Sequence, residues 1–133
     1  MKKLMILGAG IYQVPLVKQA KKMGIYTIVV SIRGNYPGFA YADKICYEDT
    51  RNAQAIVEIA EQENIDGILT TGTDVAVVTI GKVCDTLGLT GLSLEAAAIA
   101  TDKMRMKEAY QAYGVRTAKY CKVFFQAGAL EER

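Results

Sequence analysis

Gly8-Ala9-Gly10-Ile11-Tyr12-Gln13 is the part of this chain whose composition points most directly at chemistry. It follows the apolar run Leu4-Met5-Ile6-Leu7 and leads into a helical pattern. Its backbone N–H groups can therefore face an anion, with the positive end of a helix dipole behind them. The G-x-G spacing opens the dinucleotide fingerprint G-x-G-x-x-G, yet Gln13 stands where the third glycine would allow close helix-to-strand packing. NAD-binding domains also use an acidic residue about 20 residues onward to grip the ribose hydroxyls. Here Ser31 ends the second strand, and Arg33 beyond it could meet a phosphate or simply be solvated.

Two further segments carry candidate groups. In Thr71-Gly72-Thr73-Asp74 a carboxylate follows the fourth strand, where it could receive a polar substrate, orient the glycine loop, or cap the next helix. In Thr101-Asp102-Lys103 a lysine sits in a helix's first turn, next to the positive dipole end, so an external anion would suit it; a solvated lysine is the plainer alternative. Met104 and Met106 read as packing residues.

Composition removes several classes of function. The sequence has no histidine, which excludes Ser-His-Asp and Cys-His nucleophile pairs and the usual histidine metal sites. Acid-base chemistry would fall to carboxylates, lysines or tyrosines. Cys46, Cys84 and Cys121 lie far apart with no C-x-x-C spacing, as expected for isolated thiols in a reducing compartment. A net charge of +2, with no basic run interleaved with aromatics, argues against nucleic acid as a partner. No apolar stretch reaches the roughly 18 to 20 residues of a membrane span, and Gln13, Pro15 and Lys18 interrupt the opening too early for a signal peptide. A cytoplasmic protein without membrane or nucleic-acid contacts is expected.

The elements that must position these groups alternate between two periods. Leu4 to Leu7, Tyr26 to Ile32, Lys44 to Tyr47 and Ile65 to Thr71 read as strands, and Leu89 to Leu92 as a short edge strand. Between them, Tyr12 to Met23 places Leu16, Val17, Ala20 and Met23 on one helical face, and Ala53, Ile56, Val57 and Ala60 repeat at i, i+3, i+4, i+7. A third helix opens at Asp74 and buries Ala76, Val77, Ile80, Val83, Cys84 and Leu87. Ser93 caps an alanine-rich helix, Thr101 caps another ending at Gly114, and Val115 to Phe125 is a β-prone exit. The pattern predicts an α/β fold of Rossmann-like type, a mainly parallel sheet with helices on both faces. Ligands in such sheets bind beyond the strands' carboxyl ends, which directs attention to Gly8 to Gln13, Ser31 to Gly38 and Thr71 to Asp74.

Several short motifs recur in a fixed order from about Lys3 to Tyr120. They are Gly8-Ala9-Gly10 with Gln13, Ala42-Asp43, Asp66-Gly67 leading to Thr73-Asp74, Leu87-Gly88-Leu89, Ser93 to Ala97, Thr101-Asp102-Lys103 and Gly114-Val115. This run resembles the N-terminal domain of ATP-grasp enzymes, most nearly the carbamoyl phosphate synthetase large chain and biotin carboxylase group. The resemblance implies a ligase that uses ATP and magnesium to convert a carboxylate into an acyl phosphate, which an amine then attacks. It implies further that Gly8, Gly10, Gln13, Thr73 and Asp74 border the acceptor, a small carboxylate or phosphate ligand, and that Lys103 approaches the nucleotide. On this reading residues 1–120 are the domain, and 121–133 begin a linker or tail toward a missing ATP-grasp lobe. Nothing after Val123 supplies the family's magnesium carboxylates, so no cofactor is expected to bind this chain tightly and no turnover is expected from it alone. Residues 115–125 should dock on that lobe, pair between copies, or fray, with Lys103 beside the same surface. A dinucleotide-binding regulatory or redox domain, and a non-catalytic interaction module, remain the alternatives.

Overall fold

The computed structural model describes residues 1–124. Four strands, β1 (Lys3–Leu7), β2 (Tyr26–Ser31), β3 (Lys44–Tyr47) and β4 (Gly67–Leu69), form one sheet in the order β3-β2-β1-β4, with every pair parallel. Helix α1 (Val14–Lys22) joins β1 to β2, a 3-10 helix over Pro37–Tyr41 joins β2 to β3, and α2 (Ala53–Glu63) carries the chain from β3 across to β4. Helices α3 (Val77–Leu87), α4 (Leu94–Thr101) and α5 (Lys103–Ala112) follow.

Strand alternation divides the core in two. Met5, Leu7, Ile28 and Val30 point to the face covered by α2 and α3, where Ile56, Val57, Ala60, Val83 and Cys84 meet them. Ile6 and Val29 point the other way, against Val17 of α1 and Phe39 of the 3-10 helix. Both faces of the central strands are thus apolar, which is why β1 and β2 read as continuous hydrophobic runs. Helix α4 packs on α3 at Gly81, where a Cβ would lie 2.8 Å from the Leu94 Cα, and α5 packs on α4. The expected α/β fold with helices on both faces is the observed one.

Several local expectations are corrected. Strand β4 keeps only three residues; before it the Ile65 amide closes the α2 terminus onto the Ala60 carbonyl, and after it the Thr70 hydroxyl donates to the Leu7 carbonyl at 2.6 Å. Residues 89–92 form no strand. They fold back on α3, with the Leu89 amide on the Cys84 carbonyl and the Leu94 amide on the Asp85 carboxylate. Asp74 does not cap α3, which starts at Val77 after a turn closed by the Asp74 carbonyl instead of its carboxylate. Asp102, not Thr101, caps α5, accepting from the Met104 and Arg105 amides, while the Thr101 hydroxyl donates back to Ala97 within α4. Met23 is 65% exposed, beyond the end of the α1 stripe.

The exit segment also departs from expectation. Residues 115–124 form no helix or strand, and Phe125 lies outside the described residues, as do 126–133. Lys107 meets this segment through the Thr117 hydroxyl and the Tyr120 ring.

Candidate functional site

The chain reverses its direction of travel across the sheet between β1 and β4, since β2 and β3 lie to one side of β1 and β4 to the other. The loops after β1 and β4 must therefore diverge, and a cleft of about 430 Å³ opens there at the carboxyl ends of the strands. All four strand ends contribute to it: Gly8, Gly10, Tyr12 and Gln13 after β1, Ser31 and Tyr36 after β2, Asp49 to Arg51 after β3, and Gly72, Thr73 and Val75 after β4.

The floor is built by the glycine loop and Gln13. Gly8 adopts φ +96°, a conformation that glycine takes without strain, and its amide donates to the Val30 carbonyl at 2.7 Å. Gln13 is 5% exposed, packs over Gly8 and Gly10, and donates through its side-chain amide to the Thr71 carbonyl. It thereby ties the β1 loop to the β4 loop, in the position where a dinucleotide fold would need glycine. The loop approaches its other neighbour just as closely: a Cβ on Gly38 would lie 2.7 Å from the Ala9 carbonyl oxygen, which accepts from the Gly38 amide.

The amides of Ala9, Gly10, Ile11 and Tyr12 donate no hydrogen bond to any described residue. They precede α1, so their N–H dipoles add to the positive end of that helix. Across the cleft Asp49 and Arg51 form a two-point ion pair, with Nη2 to Oδ2 at 2.7 Å. The Arg51 guanidinium, and next its main-chain amide, hold the Asp49 carboxyl down to about 2, so it is ionised at neutral pH.

Of the residues singled out from the sequence, Gly8, Gly10, Gln13 and Thr73 are brought together at this cleft. Asp74 is exposed and outside its lining, and Lys103 begins α5 well along the chain of helices, also outside it. Arg33 turns away, its guanidinium 4.4 Å from the centre of the Tyr47 ring. Sequence reasoning missed Asp49, Thr50 and Arg51, although the rule that directed attention to the other strand ends applies equally to the loop after β3. Among the described residues no group of three or more Asp, Glu, Cys or His side chains could hold a metal ion.

Comparison with known proteins agrees with this architecture. No protein-family model matches the chain. A phosphoribosylglycinamide synthetase from Anaerococcus prevotii superposes with a TM-score of 0.82 at 39% identity, over 89% of this chain and 30% of that one. The chain has the fold of the N-terminal domain of the ATP-grasp superfamily. By sequence it is similar to formate-dependent phosphoribosylglycinamide formyltransferase of Methanocella arvoryzae, 29% identical over 118 residues, which are 89% of this chain and 28% of that protein. It is also similar to alanine–anticapsin ligase of Bacillus subtilis, 36% identical over 66 residues, half of this chain and 14% of that ligase. A biotin carboxylase domain shares the fold at 22% identity with a TM-score of 0.69. The chain spans less than a third of the length of these relatives. No helix among the described residues is long and apolar enough to cross a membrane.

Proposed function

We propose that this chain is the acceptor-side lobe of an ATP-dependent carboxylate–amine ligase of the carbamoyl phosphate synthase-like kind, cytoplasmic, and inactive without an ATP-grasp lobe. Residues 1–120 are its domain, and 121–133 lead toward that lobe. The observation that carries the proposal is the run of amides from Ala9 to Tyr12 that donate to no described residue, with Ala9, Gly10 and Tyr12 lining a cleft to which all four strand ends contribute. Such a row suits a carboxylate or phosphate oxygen of a small acceptor. Gly8, Gly10 and Gln13 shape the floor, Thr73 lines the β4 side, and Asp74 stands just beyond it.

ATP and magnesium would supply the activation that makes a carboxylate reactive toward an amine. The described residues include no cluster of three or more Asp, Glu, Cys or His that could hold a metal ion, and on this reading the metal's ligands are assigned to the other lobe. Lys103, exposed at the start of α5, is the residue here that would approach the nucleotide. The exposed Val115, Val123 and Phe124 of the exit segment support contact with that lobe or with a second copy.

Two measurements test this. Acetate or inorganic phosphate should shift the amide resonances of Gly8 to Gln13 and Thr71 to Asp74; shifts confined elsewhere would overturn the acceptor site. In a coupled ADP-release assay with candidate carboxylates and amines, the 133-residue chain should show no turnover. Turnover abolished by Asp74→Ala would refute its dependence on a second lobe.

A further inference from the structure

We propose that Arg51 selects the charge of the acceptor by receiving a carboxylate or phosphate on the outer edge of its guanidinium, with Asp49 as its positioning residue. This rests on reading the cleft as the acceptor site. Arg51 is the only cationic side chain among the described residues that line it. The other arginine near these loops, Arg33, is drawn onto the Tyr47 ring.

The geometry separates the roles of the pair. Asp49 Oδ1 accepts from the Arg51 main-chain amide at 2.9 Å and from Nε at 3.0 Å, while Oδ2 accepts from Nε at 3.2 Å and from Nη2 at 2.7 Å. Both carboxylate oxygens are thus engaged by Arg51 itself, which leaves little acceptor capacity for a ligand. The Asn52 amide closes the turn onto the Asp49 carbonyl at 2.9 Å, so the pair sits on short, bonded backbone next to α2. A guanidinium has about five N–H donors in a planar fork. Asp49 takes the side formed by Nε and Nη2, and no described residue accepts from Nη1. The edge shared by Nη1 and the outer N–H of Nη2 is a two-donor fork that matches the oxygen pair of a carboxylate or phosphate. Because Asp49 is ionised at neutral pH, the pair stays locked there. The Arg51 side chain is 72% exposed, and a merely solvated ion pair would leave ligand affinity untouched.

The test is a titration of isotope-labelled chain with sodium acetate and, separately, inorganic phosphate at fixed ionic strength. Backbone amides and arginine Nε–H resonances are followed in the wild type, Arg51→Gln, Arg51→Lys and Asp49→Asn. Expected are shifts at Arg51 together with Gly8 to Gln13, and binding about tenfold weaker in Arg51→Gln, with Arg51→Lys between. The anion that loses more identifies the group the fork receives. Equal affinity in Arg51→Gln, with shifts at Gly8 to Gln13 intact, overturns the role of Arg51 and leaves the acceptor site standing. Shifts at Arg51 without any at Gly8 to Gln13 uphold the anion fork and overturn the acceptor site. No shift at either place overturns both. In Asp49→Asn the Arg51 Nε–H should exchange faster with water while the rest of the spectrum is kept; an unchanged Nε–H would remove Asp49 as the positioning residue.

Discussion

At the amino end of the sheet Asp43 and Asp66 each accept a main-chain amide from a neighbouring strand, Thr27 and Lys3 in turn, at 2.8 Å, and each meets a lysine ammonium at 2.6 Å. At the carboxyl end Asp49 also accepts a main-chain amide and meets a cation, but both come from Arg51, two residues along the same loop. The same chemistry therefore does different work at the two ends. Across strands it holds their alignment. Within one loop it ties no strand to another, beside a cleft where the amides of Ala9, Gly10 and Tyr12 donate to no described residue. The end where aspartates bond across strands serves as scaffold, and the end where the aspartate bonds within its own loop holds the candidate site.

Gly38 connects the 3-10 helix to the glycine loop, and any Cβ there meets backbone, 2.9 Å from the Ala9 Cα. Backbone yields far less than a flexible side chain, so Gly38→Val should cost about 3 kcal/mol or more and disturb the cleft floor as well. Denaturant unfolding with amide shift mapping would check both parts. Loss of stability without movement at Ala9 and Gly10 would contradict the proposed coupling.

At the amino end, Asp43→Ala leaves the amide and hydroxyl of Thr27, itself 0% exposed, without their carboxylate partner. The expected cost is about 1–3 kcal/mol. The acid side of the stability profile gives the sign. Hydrogen bonding from Lys21, and next from the Thr27 amide, lowers the Asp43 carboxyl below its ordinary 3.8. A carboxyl lowered on folding contributes stability that is complete above 3.8 and is lost as pH falls through the lower folded value. Unfolding measured between pH 5 and 2 should thus show a shallower loss in Asp43→Asn than in the wild type. An identical slope would mean that the group does not couple to folding.

A smaller effect is expected at the carboxyl end. Gln13→Gly restores the third glycine of the dinucleotide fingerprint but removes the bond to Thr71. We expect a loss of about 1 kcal/mol and faster hydrogen exchange at Thr70 to Thr73, with no gain of NAD binding by calorimetry. NAD binding by this variant would reopen the dinucleotide reading. The least effect should come from Lys2→Ala: the Lys2 side chain is 77% exposed, and the Lys3 amide keeps its bond to Asp66. An exposed ion pair of this kind contributes little, so the thermal midpoint should hardly move.

Much of this architecture was legible from residue types alone. Leu4 to Leu7 and Tyr26 to Ser31 are apolar at successive positions because both faces of a central parallel strand are buried, and that pattern survives in any context. Gly88 and Gly114 end helices at positive φ, as their places after apolar stripes imply. The weaker elements were decided by neighbours. Residues 89–92 have strand composition, but the Cys84 carbonyl takes the Leu89 amide and the Asp85 carboxylate takes the Leu94 amide just after them. Asp74 and Thr101 are acceptable caps by type, yet the chain turns at Gly72 and Asp102 offers a stronger acceptor.

For the site the division is similar. The glycine loop and Thr73 could be named in advance, because a strand followed by glycine and a helix leaves amides unpaired wherever it occurs. Arg51 and Asp49 were within reach only through the place of their loop after β3, since an arginine two residues after an aspartate is commonplace on surfaces. Gln13 likewise looked like a failed glycine until its amide met the Thr71 carbonyl. Local order along the chain determined which backbone groups would be exposed. Only the crossing of the chain from β3 past β1 to β4, a long-range event, decided which side chains would face them.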